Sequence, residues 1–190
     1  LTLKKVLVMW DFHWFNFFLR KALKELLRAM LMLTEQRILK SGFKDGFFRQ
    51  IEFQPISEFK AGDDLVAYMN SRGDLMVYDG KKQERMANMT ADYEVSDHLM
   101  TWKIGPTLNM WDGGYKMTLT YNARNYWVKD SIIVYEDTRF NSVNVYYDGK
   151  TYELYRSVGD VDTPDFIGEN IVAFRDNGNF NKVFWRGKIY

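Results

Sequence analysis

Five glycines divide most of this chain into near-equal lengths. Gly46, Gly80, Gly113, Gly149 and Gly187 are 34, 33, 36 and 38 residues apart. An aspartate precedes the first four (Asp45, Asp79, Asp112, Asp148) and Arg186 precedes the last. Two residues before the last four stand Tyr78, Trp111, Tyr147 and Trp185. Asp-Gly between apolar runs favours a two-residue hairpin, because both turn positions need φ > 0. Each glycine is therefore read as a hairpin corner.

A second block repeats without gaps. "FKAGDDLVAY" (59–68), "YEVSDHLMTW" (93–102), "YWVKDSIIVY" (126–135) and "DFIGENIVAF" (165–174) align column for column. Five positions before the final aromatic stand Asp63, Asp97, Asp130 and Glu169. Each unit then reads as four strands: a short one, an acidic turn, a continuously apolar second strand, a hairpin partner, the glycine corner and an outer strand. The second strands ("LVAY", "SIIVY", "NIVAF") look like strands buried on both faces. Beyond them alternation returns, with Val143, Val145 and Tyr147 on one face and Tyr152 and Leu154 on one face.

Four-stranded antiparallel units of about 35–40 residues are the pattern of propeller blades. The fold class expected is all-β, a propeller-like array of units at about 57–90, 91–122, 123–157 and 164–190. An aromatic content of 17% suits such half-buried, pleated surfaces. The last unit is expected to lack its outer strand, and "GFFRQIEF" (46–53) to be an outer strand with no blade before it. Those two segments could share one blade and close a four-bladed ring, hiding the exposed edges. The alternative is an arc of a longer propeller, which is favoured because the chain starts at Leu1 and stops inside an apparent strand.

The first 45 residues differ in style. "LTLKKVLVMWDFHWFNFF" has the basic-then-apolar order of a secretory signal, but Asp11, His13 and Asn16 interrupt it. Leu19, Leu23, Leu26, Met30 and Leu33 form one stripe opposite Arg20, Lys21, Lys24 and Arg28, predicting an amphipathic helix that stops at Ser41-Gly42. Such a helix over 17–33 packs on its own domain, or lies on an anionic membrane surface. Residues 1–48 carry nine basic and four acidic side chains and the remainder seventeen and twenty-one, net +5 against −4. The total of +1 argues against a nucleic-acid partner.

The stretches "GENIVAFRDNGNFNKVFWRGK" (168–188) and "VKDSIIVYEDTRFNSVNVYYDGK" (128–150) resemble uncharacterised exported repeat proteins of Bacteroidota. The resemblance covers about residues 46–190. It implies a propeller-like fold outside the cytoplasm, in the periplasm or at the cell surface, and it implies no activity.

Catalytic signatures are absent from the sequence. There is no cysteine, and the two histidines, His13 and His98, cannot build a His-rich metal centre. No nucleophile elbow, phosphate loop or dinucleotide fingerprint occurs. No metal or cofactor is expected. The repeated acids could form a ring binding a cation or a sugar hydroxyl, but a feature present in every unit more often builds the unit. Unit-specific positions carry the functional expectation: Arg139 beside Phe140 in a hairpin loop, and "YNARNYW" (121–127), which sets Asn122, Arg124 and Asn125 among Tyr121, Tyr126 and Trp127. Aromatic, amide and guanidinium groups together suit stacking on and hydrogen bonding to a glycan or a protein segment. The same aromatics could instead simply pack between units.

The function expected is a non-catalytic binding or scaffold module acting through blade-end loops. The alternatives are a carbohydrate-active enzyme with an Asp/Glu pair, which needs two acids that break the repeat and converge, or a membrane-surface protein held by residues 17–33.

Overall fold

The computed structural model describes residues 40–44, 47–89, 91–158, 163–176 and 180–190. The expected helix over 17–33 lies outside them. The chain divides into two units, Leu1–Ser57 and Glu58–Tyr190. In the first, β1 (Lys40–Lys44) pairs antiparallel with β2 (Phe47–Gln50), with Lys44 opposite Phe47. Ser41-Gly42 therefore sits inside a strand and not at a helix stop. The segment beginning at Phe47 pairs with β1 in a two-stranded sheet.

The second unit holds four sheets, each a four-stranded antiparallel meander. Blade 1 is β3 (Glu58–Ala61), β4 (Val66–Met69), β5 (Leu75–Tyr78) and β6 (Gln83–Ala87). Blade 2 is β7 (Asp92–Val95), β8 (Leu99–Ile104), β9 (Thr107–Asp112) and β10 (Tyr115–Thr120). Blade 3 is β11 (Ala123–Lys129), β12 (Ile132–Asp137), β13 (Ser142–Tyr147) and β14 (Lys150–Arg156). Blade 4 is β15 (Phe166–Gly168), β16 (Ile171–Asp176), β17 (Phe180–Trp185) and β18 (Lys188–Ile189).

The last blade thus has its outer strand, which corrects the expected gap. Trp185 pairs with Lys188, and Val183 and Tyr190 exchange both backbone hydrogen bonds at 3.0 and 2.9 Å.

The corners follow backbone tolerance for φ > 0. Asp148 and Gly149 (φ 49° and 75°) and Arg186 and Gly187 (φ 47° and 79°) form two-residue turns of the expected kind. In blade 2 the turn slips by one residue. Asp112 pairs with Tyr115, leaving Gly113-Gly114 at φ 56° and 101°. Two adjacent glycines take the left-handed positions more cheaply than Asp-Gly does. In blade 1 the loop widens to Asp79–Lys82, where Asp79 Oδ1 accepts from the backbone N–H groups of Lys81 and Lys82 at 2.9 and 2.8 Å.

The core consists of three layers, one at each junction between successive blades. Leu65, Ala67, Leu75 and Val77 of blade 1 meet Tyr93, Met100, Trp102 and Trp111 of blade 2. Leu99, Leu108 and Met110 of blade 2 meet Ile133, Tyr135 and Tyr146 of blade 3. Ile132, Val134, Val143 and Val145 of blade 3 meet Val172, Phe174 and Phe184 of blade 4. This is why the second strands are apolar without alternation: successive side chains enter different layers. The later blade offers aromatic residues at all three junctions, and at the third junction blade 3 does so as well, through Tyr155, Tyr147, Tyr152 and Trp127.

Candidate functional site

Two ends of the blades differ in chemistry. At the end where first and second strands turn, backbone groups stitch each blade to the next. Asp64 N–H donates to the carbonyl of Asp97 (2.9 Å), Ser96 Oγ–H to the carbonyl of Asp130 (2.5 Å), and Ser131 N–H to Asn170 Oδ1 (3.2 Å). The repeated acids and their successors lie in these turns, with Asp130 and Asn170 at φ 43° and 55°. Burial, then the nearby Glu169 carboxylate, raises the Asp130 carboxyl above the ordinary carboxylate range. Among the described residues no group of three or more His, Asp or Glu could hold a metal ion.

The opposite end of blade 3 carries two buried carboxylates, one of which, Glu136, breaks the repeat. Glu136 and Asp137 close β12, and only 1% and 7% of their surfaces are exposed. As neighbours on one strand they point to opposite faces. Glu136 accepts from Asn125 Nδ2 at 2.9 Å and from Thr163 Oγ1 at 3.5 Å. Asp137 accepts from Thr120 Oγ1 at 2.6 Å and from the Arg139 N–H at 2.9 Å. Both carboxylates are thus tied down by short donors, which is what makes burial of such groups tolerable. They hold separate partners on separate faces and do not converge as a glycosidase pair would.

These tethers shape the loops above. Asp137 turns the 138–141 loop through the Arg139 amide. The Asn122 carbonyl accepts from Thr138 N–H and Oγ–H at 2.9 and 3.0 Å, joining that loop to the 121–122 connection. Ser157 N–H donates to the Asn141 carbonyl at 2.8 Å and binds the exit of β14 to the same loop. Phe140 stands 48% exposed on this base. The guanidinium of Arg139 lies 5.1 Å from its ring centroid and that of Arg156 5.6 Å, both within cation–π range. Arg156 also pairs with Glu153 at 2.6 Å. Tyr121, on the adjoining connection, is 68% exposed.

The six residues singled out in the sequence therefore separate. Asn122 and Arg139 belong to the joined loops. Asn125 projects to Glu136 and supports them from β11. Arg124 is exposed on β11, and its carbonyl accepts from Lys103 Nζ of blade 2 at 2.6 Å. Tyr126 packs in the layer between blades 2 and 3, and Trp127 in the layer between blades 3 and 4. Burial, then the negative charge of Asp92, pushes the Tyr126 phenol well above its ordinary value. Sequence reasoning passed over Glu136, Asp137 and Arg156. The signal for Glu136 was present: at the column occupied by Met69, Lys103 and Arg175 in the other units, unit 3 has Glu136, a carboxylate directly after an apolar strand.

The profile of a family described as the 10-bladed beta propeller domain matches residues 28–190. The chain belongs to this family. The four four-stranded meanders of this 10-bladed propeller family member are its blades. No curated protein matches the sequence. Among solved structures it is similar to Hsv2 of Kluyveromyces lactis at 15% identity and a TM-score of 0.43, covering 75% of this chain and 52% of that one. It is similar to human WBSCR16 at 8% identity and a TM-score of 0.44, with 75% and 52% covered. The computationally designed Ika4 protein gives 14% identity and a TM-score of 0.41, with 72% and 94% covered. The chain spans about half the length of Hsv2 and WBSCR16. Among the described residues of the propeller chain no helix is long and apolar enough to cross a membrane.

Proposed function

We propose that this propeller chain is a non-catalytic binding module that holds a protein or glycan partner at the loop end of blade 3. The observation that carries the reading is the exposed Phe140 ring with the Arg139 and Arg156 guanidinium groups beside it. The buried Glu136 and Asp137 tethers make that platform rigid before any partner arrives, which lowers the ordering cost of binding. A ring flanked by two cations suits an apolar surface next to a carboxylate, as on an acidic peptide segment or a uronic-acid sugar. The resemblance of residues 46–190 to exported Bacteroidota repeat proteins supports a place outside the cytoplasm.

The test is a screen of the whole chain against immobilised acidic peptides and acidic glycans, with the double variant R139A/F140A beside it. Retained ligands that the variant releases at unchanged thermal stability support the reading. Identical binding by both proteins places the site elsewhere. Hydrolysis of a glycan by the pure chain overturns the non-catalytic assignment.

A further inference from the structure

The loops at one end of blades 2 and 3 form a single hydrogen-bonded rim. Ala123 N–H donates to the Pro106 carbonyl at 2.8 Å, which joins the turn between β8 and β9 to the connection between the two blades. Thr138 N–H donates to the Asn122 carbonyl, and Ser157 N–H to the Asn141 carbonyl. The rim therefore runs unbroken from Ile104 through Tyr121 and Phe140 to Val158. All four are exposed: Ile104 by 37% and Val158 completely, with Tyr121 and Phe140 between them. Apolar side chains gathered in this way mark an interaction surface.

The rim is also basic. Segments 103–107, 121–125, 138–141 and 156–158 contain Lys103, Arg124, Arg139 and Arg156 and no carboxylate. Glu136 and Asp137 lie beneath, buried and bonded to their own donors. Glu153 meets Arg156 from the side, and Asp92 is opposite Lys103 in the strand register. Setting these two acids against the four cations leaves a surplus of two positive charges.

We infer that the partner is an acidic, apolar-rich protein segment lying along this rim, its carboxylates on the guanidinium groups beside Phe140 and its apolar side chains against Ile104, Tyr121, Phe140 and Val158. The inference rests on the binding reading above and assigns that site its partner class and its extent. Charge complementarity selects an anionic partner. The two aliphatic tips select protein over glycan, because Ile104 and Val158 offer neither a flat ring to stack on a sugar nor a polar atom to bond its hydroxyls. The guanidinium groups select protein over a lipid surface. They lie 5.1 and 5.6 Å from the Phe140 ring centroid, so inserting that ring among acyl chains would draw two charges in with it, at high cost. A protein segment instead meets the ring with apolar side chains and the charges with carboxylates.

The test pans the immobilised whole chain against short random peptides displayed on phage. Enriched peptides are then titrated in solution against wild type, I104S/V158S and R139A/F140A, with thermal midpoints as the check of folding. Enrichment of peptides combining Asp or Glu with apolar residues is expected, with binding that weakens as salt is raised. Both double variants should bind them about tenfold more weakly or worse. Enriched peptides without acidic residues, or binding indifferent to salt, overturn the inference. Peptides lost by R139A/F140A and kept by I104S/V158S also overturn it: the site is then confined to blade 3 and the binding reading stands. Oligogalacturonate retained where no peptide is enriched has the same effect, with a glycan as the partner. Vesicles of equal parts phosphatidylglycerol and phosphatidylcholine that hold wild type and release I104S/V158S assign the rim to a lipid surface instead. Failure of peptides, oligogalacturonate and vesicles alike removes both this inference and the reading it rests on.

Discussion

Gly62 is the position where one methyl group should do the most damage. It lies in the turn between β3 and β4, against the equivalent turn of blade 2. A β-carbon there would overlap the carbonyl oxygen of Ser96 and lie 2.7 Å from its carbonyl carbon and 2.9 Å from the oxygen of Asp97. The obstacle is backbone, so no side-chain rotation relieves it. Restoring ordinary contact needs the blade 2 turn to retreat by about 1 Å or more. That movement breaks the 2.9 Å bond from Asp64 N–H to the Asp97 carbonyl. Overpacking of this kind costs about 1–3 kcal/mol, and the lost seam hydrogen bond adds about 1 kcal/mol. The alanine's smaller unfolded-state entropy returns about 0.4–1 kcal/mol. The net expectation for Gly62→Ala is a loss of about 2–3 kcal/mol, which moves a urea midpoint down by about 1 M. Urea titration followed by circular dichroism and tryptophan fluorescence measures it. Gly80→Asn is the control, because Gly80 has φ 83° with nothing within 4 Å of a β-carbon, and asparagine tolerates that backbone. If Gly62→Ala matches wild type within about 0.5 kcal/mol at unchanged m, blades 1 and 2 do not meet at this turn and the seam described above is wrong.

Two titrations test the packing elsewhere. Burial pushes the Tyr135 and Tyr146 hydroxyls from the ordinary 10.0 to about 12, and Tyr146 also donates to Asp112 Oδ2 at 3.0 Å. A raised folded pKa stabilises fully below pH 10 and loses that contribution as pH climbs towards 12, by up to about 1.4 kcal/mol per unit for each phenol. Urea midpoints should therefore fall steeply over that window, less so in Tyr135→Phe, and a flat profile would contradict the burial. For Asp130 the sign is the same, but the window lies in the acid range: its carboxyl is raised by burial and Glu169, so at neutral pH its charge opposes folding. Asp130→Asn, which suits φ 43° and keeps the carbonyl that Ser96 uses, should raise the thermal midpoint at pH 7 and lose its advantage at pH 3. A lower midpoint at pH 7 would refute the account.

The repeat itself was legible because it is written in residue types with local consequences. Glycines that permit φ > 0 marked the corners, and an unbroken apolar run marked every second strand. From these the four meanders, their length and their all-β class follow without reference to any neighbour. Even the slip at Gly113-Gly114 is local chemistry, visible once two glycines compete with Asp-Gly for the turn.

Only the stacking of blades decided which face each side chain serves. Strand alternation separates Tyr126 from Trp127 and Glu136 from Asp137, but it does not say what lies on either side. Tyr126 and Trp127, neighbours in "YNARNYW", are partly buried against two different layers, because both faces of blade 3 are covered. Glu136 and Asp137, which the sequence reading passed over, are structural tethers, because donors from Asn125, Thr163 and Thr120 reach them across sequence separations that a local reading does not span. The exposed loop platform around Phe140 exists for the same reason. Its parts come from 121–122, 138–141 and 156–157, and only hydrogen bonds made in the folded chain bring those three segments to one end of one blade. Sequence determines the unit by short-range backbone preference. The site needs the long-range contacts that only the stacked blades supply.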